Sequence, residues 1–360
     1  MVKKKSKETK QLVSEEVIKD KPTDSKDIAN FEEDVSNNKV KRLEDIPGIG
    51  SKTAEKLRNL RYTLVGLATG RADEIAAQMK ISFVIAKGWV QSAQESILKD
   101  MKMKTATKQD KDRKVTQQFI KTGSKVFNDL LGGGFATAST TGLSGRFSTG
   151  KTQASFDAVI DCLSRLKRKV VYIETEPNTF SLDRLKEIAN SRKLECDWDM
   201  LYVCEAEQIP TAKAQFLQYK LVQKALEKNE DIGLVVVDSF TAKFRPGYSR
   251  REMLPVRTRE FTEHFLLIDY LAAKYNVAWI LTCQVITAPD PGQGLGIKAK
   301  TGDTHFPIGG DYLLHSVSTW VSLQQKSTEL YKAVLYDSSY LPRNSCEFIL
   351  SKSGLQDGIR

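Results

Sequence analysis

Along the 360-residue chain the spacing of apolar positions changes character twice. Residues 1–42 mix Lys, Glu, Asp, Ser and Asn with few aromatics. Such a stretch cannot bury enough surface to offset its ordering entropy, so a disordered tail is expected. In LEDIPGIGSKTAEKLRNL, Leu43 to Leu60, Gly48 and Gly50 permit a tight turn. Ser51 is placed to cap a helix that carries Ala54, Leu57 and Leu60 on one side. Ile75, Met79 and Phe83 then recur every fourth residue, as do Ile85, Trp89 and Ala93. Residues 43–98 therefore predict a small helical domain whose helix, glycine turn and helix resemble a helix-hairpin-helix. Residues 99–118, KDMKMKTATKQDKDRKVTQQ, are charged and poor in apolar positions, and read as a linker.

From Phe119 onward, runs rich in β-branched residues appear: KVVYIET (169–175), MLYVCEA (200–206), GLVVVDSF (233–240) and VAWILTCQV (277–285). Helical stretches separate them, among them 153–166 with Phe156, Val159, Ile160 and Leu163 on one face. Strands buried on both faces and alternating with helices predict an α/β fold with a mainly parallel, doubly wound sheet over 119–360. TWVSLQQK, ELYKAVLYDS and SCEFILSKS follow with short turns between them and read as antiparallel additions.

Composition narrows the function classes. Apolar residues make up 40% of the chain, an ordinary share for a globular protein, and no run is long enough to predict a membrane span. MVKKKSKETKQ has no apolar stretch behind its lysines, so a secretory signal is not expected. The five cysteines lie far apart with no CxxC pair, which predicts neither a zinc site nor a disulfide framework and fits a reducing, intracellular compartment. A net charge of +10 makes a polyanionic partner such as nucleic acid a candidate. The glycine turn at Gly48 and Gly50 adds backbone N–H groups that can hold a DNA phosphate, or it is only a helical cap.

The sharpest chemistry lies in Gly145-Arg146-Phe147-Ser148-Thr149-Gly150-Lys151-Thr152, which fits GxxxxGK[ST] and is followed by Gln153. The glycines let backbone N–H groups curl around phosphate oxygens, Lys151 reaches the β- and γ-phosphates, and Thr152 offers a hydroxyl to Mg²⁺. TTGLS just upstream predicts the preceding strand. Asp238, ending LVVVDS, stands where a Walker B aspartate holds Mg²⁺ or its water. Glu174 and Glu176 end another strand, and either can orient the attacking water.

TGSKVFNDLLGGG, GRFSTGKTQ, VYIETEPNTF, VVVDS, TCQV, FPIGGDYLLHS and SYLP, in this order, resemble the motifs of the archaeal RadA recombinases, relatives of bacterial RecA. The resemblance covers about residues 43–360 and implies a RecA-like core. It also implies ATP and Mg²⁺ bound between neighbouring subunits of a helical filament or ring on single-stranded DNA, with double-stranded DNA as second partner. It implies that Glu176 activates water, that Gln284 senses the γ-phosphate, and that Arg184 packs on adenine. Asp337 and Pro342 would cover ATP from the next subunit. Two DNA-binding loops are implied. The first is KFRPGYSRREMLPVR, with Arg245, Arg250, Arg251 and Arg257, whose guanidinium groups suit phosphates. The second runs from about Ile286 to Gly310 with Lys298 and Lys300, where Phe306 either meets DNA or is a packing residue. His315 is expected to be structural. The family's linker motif FxxA has its nearest match in Met103–Ala106, MKTA. This sequence departs from the family's usual YIDTEGTF by the additional Pro177, has Ser148-Thr149 where many members have Gly-Ser, and lacks a glycine beside the first loop's arginines. The reading that results is a DNA-dependent, nucleoid-associated ATPase that pairs and exchanges strands, with recombination mediators as further partners. A paralogue that binds ATP and DNA but exchanges little is the second reading. A RecA-fold ATPase acting on protein is the third.

Overall fold

The computed structural model describes residues 42–60, 62–101, 103–244, 251–287, 305–307 and 310–358. The expected tail therefore lies outside the described residues, apart from Arg42. The chain divides between Lys104 and Thr105 into two compact units.

The first unit is helical. A 3₁₀ turn, Leu43–Asp45, precedes α1 (Ser51–Asn59), α2 (Leu64–Thr69), α3 (Ala72–Met79) and α4 (Phe83–Asp100). Gly50, not Ser51, is the N-cap of α1, and Gly48 takes φ +86° in the turn before it. A hydroxyl caps each of two later helices: Thr63 Oγ1 accepts from the Gly66 N–H at 2.9 Å and Ser82 Oγ from the Ile85 N–H at 3.3 Å. Lys80, at φ 55°, ends α3, so the four-residue spacing from Ile75 to Phe83 crosses a helix boundary. The buried stripe of α4 is Ala86, Trp89, Val90 and Ala93, and Phe83 and Ile85 are exposed. Leu60 is exposed as well, just past the end of α1. The apolar period was therefore one residue out of phase at the start of α4, where the sequence supplies four consecutive apolar residues, Phe83 to Ala86.

The second unit begins with a helix inside the span read as linker, α5 (Ala106–Thr116). None of its residues is buried. Local terms support it: Thr105 Oγ1 accepts from the Lys108 N–H at 3.3 Å, and Lys114 pairs with Asp110 at 2.8 Å. Next come β1 (Phe119–Ile120), α6 (Lys125–Leu130), β2 (Phe135–Ala136), β3 (Ser139–Gly145), α7 (Lys151–Asp161), β4 (Lys169–Glu174) and α8 (Leu182–Ser191). They are followed by β5 (Leu201–Cys204), α9 (Ala212–Glu227), β6 (Ile232–Asp238), α10 (Leu254–Tyr275) and β7 (Ala278–Thr287). The last elements are β8 (His305–Pro307), α11 (Gly310–His315), β9 (Thr319–Gln325), β10 (Leu330–Ser338), β11 (Ser345–Ser351) and β12 (Gly354–Asp357).

The large sheet has the order β12-β11-β10-β9-β3-β7-β6-β4-β5, with β8 on β7. Its centre is parallel, as the two-sided burial of β3 and β6 requires. One expectation is corrected: β9, TWVSLQQ, runs parallel to β3, so it extends the parallel part of the sheet, and β10, β11 and β12 follow it as antiparallel additions. The chain reaches β9 from α11, not by a hairpin, which makes the parallel direction possible. Close approach fixes Gly142, where a Cβ would lie 2.2 Å from the Trp320 ring. Phe156, Val159, Ile160 and Leu163 are all buried in the core beneath the sheet, as their spacing predicts.

Candidate functional site

Parallel register gathers the site. It sets Gly145 of β3 beside Gln284 of β7, and Glu174 of β4 beside Asp238 of β6. Four adjacent strands thus present the residues singled out in the sequence at one edge, the carboxyl end, where α/β sheets bind ligands.

The loop from β3 to α7 is shaped by its backbone. Ser148 takes φ 61° and Gly150 φ 93°, so successive N–H groups can turn inward. A Cβ on Gly145 would meet Thr149 Oγ1 at 2.4 Å and the Leu323 carbonyl at 2.5 Å. Thr149 Oγ1 donates to the Arg146 carbonyl at 2.9 Å. Lys151 Nζ donates to the carbonyls of Gly145 at 2.9 Å and Arg146 at 2.7 Å, so it bends back over its own loop. Burial lowers its pKa, and the charges of Asp238 and Glu176 oppose that shift. Arg146, Phe147 and Ser148 are exposed at the tip.

Asp238 is buried, and three hydroxyls hold it. Thr152 Oγ1 and Tyr172 OH each donate to Oδ2 at 2.7 Å, and Thr282 Oγ1 donates to Oδ1. Tyr172 and Thr282 were missed in the sequence. Their signal was a polar group inside an otherwise apolar strand, with Tyr172 two residues before Glu174 and Thr282 two before Gln284. A hydroxyl beside a buried carboxylate is an all-oxygen donor set that fits a hard divalent cation such as Mg²⁺. Among the described residues no cluster of three His, Cys, Asp or Glu side chains forms a metal site.

The two glutamates differ in their partners. Glu174 Oε1 accepts from the N–H groups of Thr179 at 2.8 Å and Phe180 at 3.0 Å, which closes the turn after β4. Glu176 faces Gln284, whose Nε2 donates to Oε1 at 2.7 Å and to Oε2 at 3.0 Å. The additional Pro177 sits in this turn next to Asn178, at φ 66°, and the pairing of Glu176 with Gln284 coexists with it.

Arg184 lies on α8. Its Nε donates to Gln153 Oε1 at 3.0 Å, its Nη2 to the Ser351 carbonyl at 2.6 Å and its Nη1 to the Lys352 carbonyl at 2.9 Å. Asp337 is on β10, with Oδ2 3.4 Å from His315 Nδ1, and Pro342 is exposed in the next loop. His315 is exposed, so it is not a core residue.

The structure describes few of the expected DNA contacts. Arg245, Arg250, Lys298 and Lys300 lie outside the described residues, as do the side chains of Arg251 and Phe306. Arg257 belongs to α10, not to an open loop, and its guanidinium stands 5.9 Å from the centre of the Phe261 ring. The stem of the second loop is a ladder, with Val285 opposite Pro307 and Thr287 opposite His305.

The sequence profile of the Rad51 family matches residues 113–358. The chain belongs to the Rad51 family. The match takes in the whole β1–β12 core, which is accordingly a Rad51-type, RecA-like domain. It is 30% identical over 325 residues to the DNA repair and recombination protein RadA of Metallosphaera sedula, covering 89% of this chain and 96% of that one. To the RadA of Aeropyrum pernix it is 31% identical over 327 residues, covering 88% and 97%. To the RadA of Ignicoccus hospitalis it is 31% identical, covering 87% and 94%. All five cysteines are free, and no helix among the described residues is long and apolar enough to cross a membrane.

Proposed function

We propose that this Rad51-family protein is a DNA-dependent ATPase of recombinational repair, which forms filaments on single-stranded DNA and exchanges homologous strands. The observation that carries the reading is the pairing of Thr152 with Asp238, and of Glu176 with Gln284, at the carboxyl ends of adjacent strands. The substrate is ATP. The phosphate loop, with Gly145, Arg146, Phe147, Ser148, Thr149 and Gly150, wraps the phosphates through its N–H groups. Lys151 exchanges its two carbonyl contacts for phosphate oxygens as ATP enters, and Gln153 and Arg184 lie toward the base. Thr152 and Asp238 would hold Mg²⁺, which supplies positive charge against the phosphates. Glu176 accepts the proton of the attacking water, and the Gln284 carboxamide keeps both of its oxygens aligned for that task. Gln284 precedes the second loop on β7, so loss of a γ-phosphate contact there has a direct path to the DNA-binding segment. Asp337 and Pro342 cover the nucleotide of a neighbouring subunit, and Met103–Ala106 joins subunits. Arg245, Arg250, Arg251, Arg257, Lys298, Lys300 and the Gly48–Gly50 turn hold single- and double-stranded DNA. The protein works inside the cell on the nucleoid, and mediators assist its loading.

The mediator reading rests on the lengthened turn after Glu176. The retained pairing of Glu176 with Gln284 favours hydrolysis instead. Phosphate release with and without single-stranded DNA, together with joint-molecule formation by the purified protein, separates the two. The recombinase reading expects DNA-stimulated turnover and joint molecules. Turnover that survives Lys151→Ala, or ATP binding without joint molecules, overturns it.

A further inference from the structure

Two helices close a circuit through the turn between β11 and β12, and the mechanism above uses only part of it. Arg184, near the start of α8, grips the carbonyls of Ser351 and Lys352. Arg192, at the other end of the same helix, donates from Nε to the Ser353 carbonyl at 2.6 Å and from Nη2 to Asp157 Oδ2 at 2.7 Å. Asp157 and Gln153 are four residues apart on α7, and Gln153 completes the ring by accepting from Arg184.

Asp157 is fully buried. Its Oδ2 also accepts from the N–H groups of Gly123 at 2.9 Å and Leu355 at 3.1 Å. Burial pushes its carboxyl pKa up, while the charge of Arg192 and these N–H groups pull it down. Gly354 takes φ +81°, and a Cβ there would stand 2.1 Å from Asp157 Oδ1, so the turn is built around this carboxylate. The same strand end touches the phosphate loop, since a Cβ on Gly150 would meet Leu350 Cδ1 at 3.2 Å. Three successive carbonyls of one turn are thus held by two arginines whose spacing α8 fixes.

We propose that Asp157 and Arg192 are positioning residues for recognition of the nucleotide base: they fix the β11–β12 turn, and the turn fixes Arg184. The inference rests on the reading that Arg184 lies against the base. A role in stability alone would leave base selectivity unchanged.

The test is Arg192→Lys in the full chain, which keeps a cation beside Asp157 but cannot reach the Ser353 carbonyl with a second donor. KM for ATP should rise about tenfold, the size of one lost charge-assisted hydrogen bond, with a much smaller change in kcat. The ATP-over-GTP ratio of kcat/KM should fall by a similar factor, while inhibition by inorganic triphosphate, which has no base, stays as in the wild type. Asp157→Asn keeps an acceptor of the same shape and should move KM and the ratio in the same direction. An unchanged ratio in both variants overturns the assignment, and so does an equal weakening of triphosphate and ATP. A wild-type chain that hydrolyses no nucleotide overturns the underlying reading instead.

Discussion

The helical unit and the α/β core contain the same device, a glycine turn before a helix N-terminus, with very different surroundings. At Gly48 and Gly50 the turn has a buried apolar residue, Ile49, between its glycines and the Trp89 ring behind it. At Gly145 and Gly150 it is ringed by Lys151, Thr152, Asp238, Glu176 and Gln284, and hydroxyls satisfy the buried carboxylate. The first turn offers its backbone donors, with the Trp89 indole beside Gly48. The second offers backbone donors together with a lysine, two carboxylates and a carboxamide, groups whose chemistry suits proton transfer and charge neutralisation. A glycine turn can therefore bind a phosphate, but chemistry on the phosphate needs the edge of a sheet where several strands deliver side chains to one place.

That contrast can be broken most severely at Lys151. Lys151→Ala removes the one cation of the phosphate loop's helix start, and turnover should fall about a thousandfold, measured by phosphate release. Glu176→Gln should lower kcat about a hundredfold while a fluorescent ATP analogue still binds, because the shape and the contact with Gln284 are kept. Equal turnover in this variant would assign the base role elsewhere.

Stability separates the units further. Gly142→Ala drives a methyl group into Trp320 and should cost about 1–3 kcal/mol, read as an earlier urea midpoint for the core. His264, buried among Phe216, Tyr219 and Phe244, has its pKa lowered from 6.5 to about 3 by burial. Its neutral form is the folded one, so this contribution is complete above pH 6.5 and is lost as pH falls toward 3. Between pH 7 and pH 5 the loss is about 2 kcal/mol, and His264→Phe should abolish that part of the pH dependence in urea melts. The smallest effects lie in the helical unit. Gly48→Ala strains a left-handed residue 3.1 Å from Trp89 and should cost about 1 kcal/mol, with weaker duplex binding at low salt and unchanged ATP turnover. Gly50→Ala meets nothing within 4 Å, but alanine is a poorer N-cap than glycine, so the cost should be about 0.5 kcal/mol.

Periodicity and motif spacing were enough to find the main strands of the sheet and to set Gly145–Thr152, Asp238, Glu174 and Glu176 at or just after strand ends. Those signals are local, since burial on both faces, a left-handed glycine and a strand-ending acid each leave a mark within a few residues. They could not choose between Glu174 and Glu176. The structure distinguishes them by partner, since the N–H groups of Thr179 and Phe180 bond to Glu174 and the Gln284 carboxamide bonds to Glu176. The direction of β9, the start of α4 and the helix within 106–116 were likewise set by neighbours or by marginal local terms that an apolar pattern does not record.

The sequence by itself determined that this chain carries a GxxxxGK[ST] loop between a strand and a helix of an α/β core, because those features are written in contiguous residues. Only the tertiary structure decided that Tyr172, Thr282 and Thr152 meet on Asp238, and that Asp157, Arg192 and Arg184 close on one turn. Each contact joins positions far apart in the chain: parallel strand register brings together the groups on Asp238, and the packing of α7 and α8 against the antiparallel β11–β12 turn brings together the others, and no local pattern encodes either.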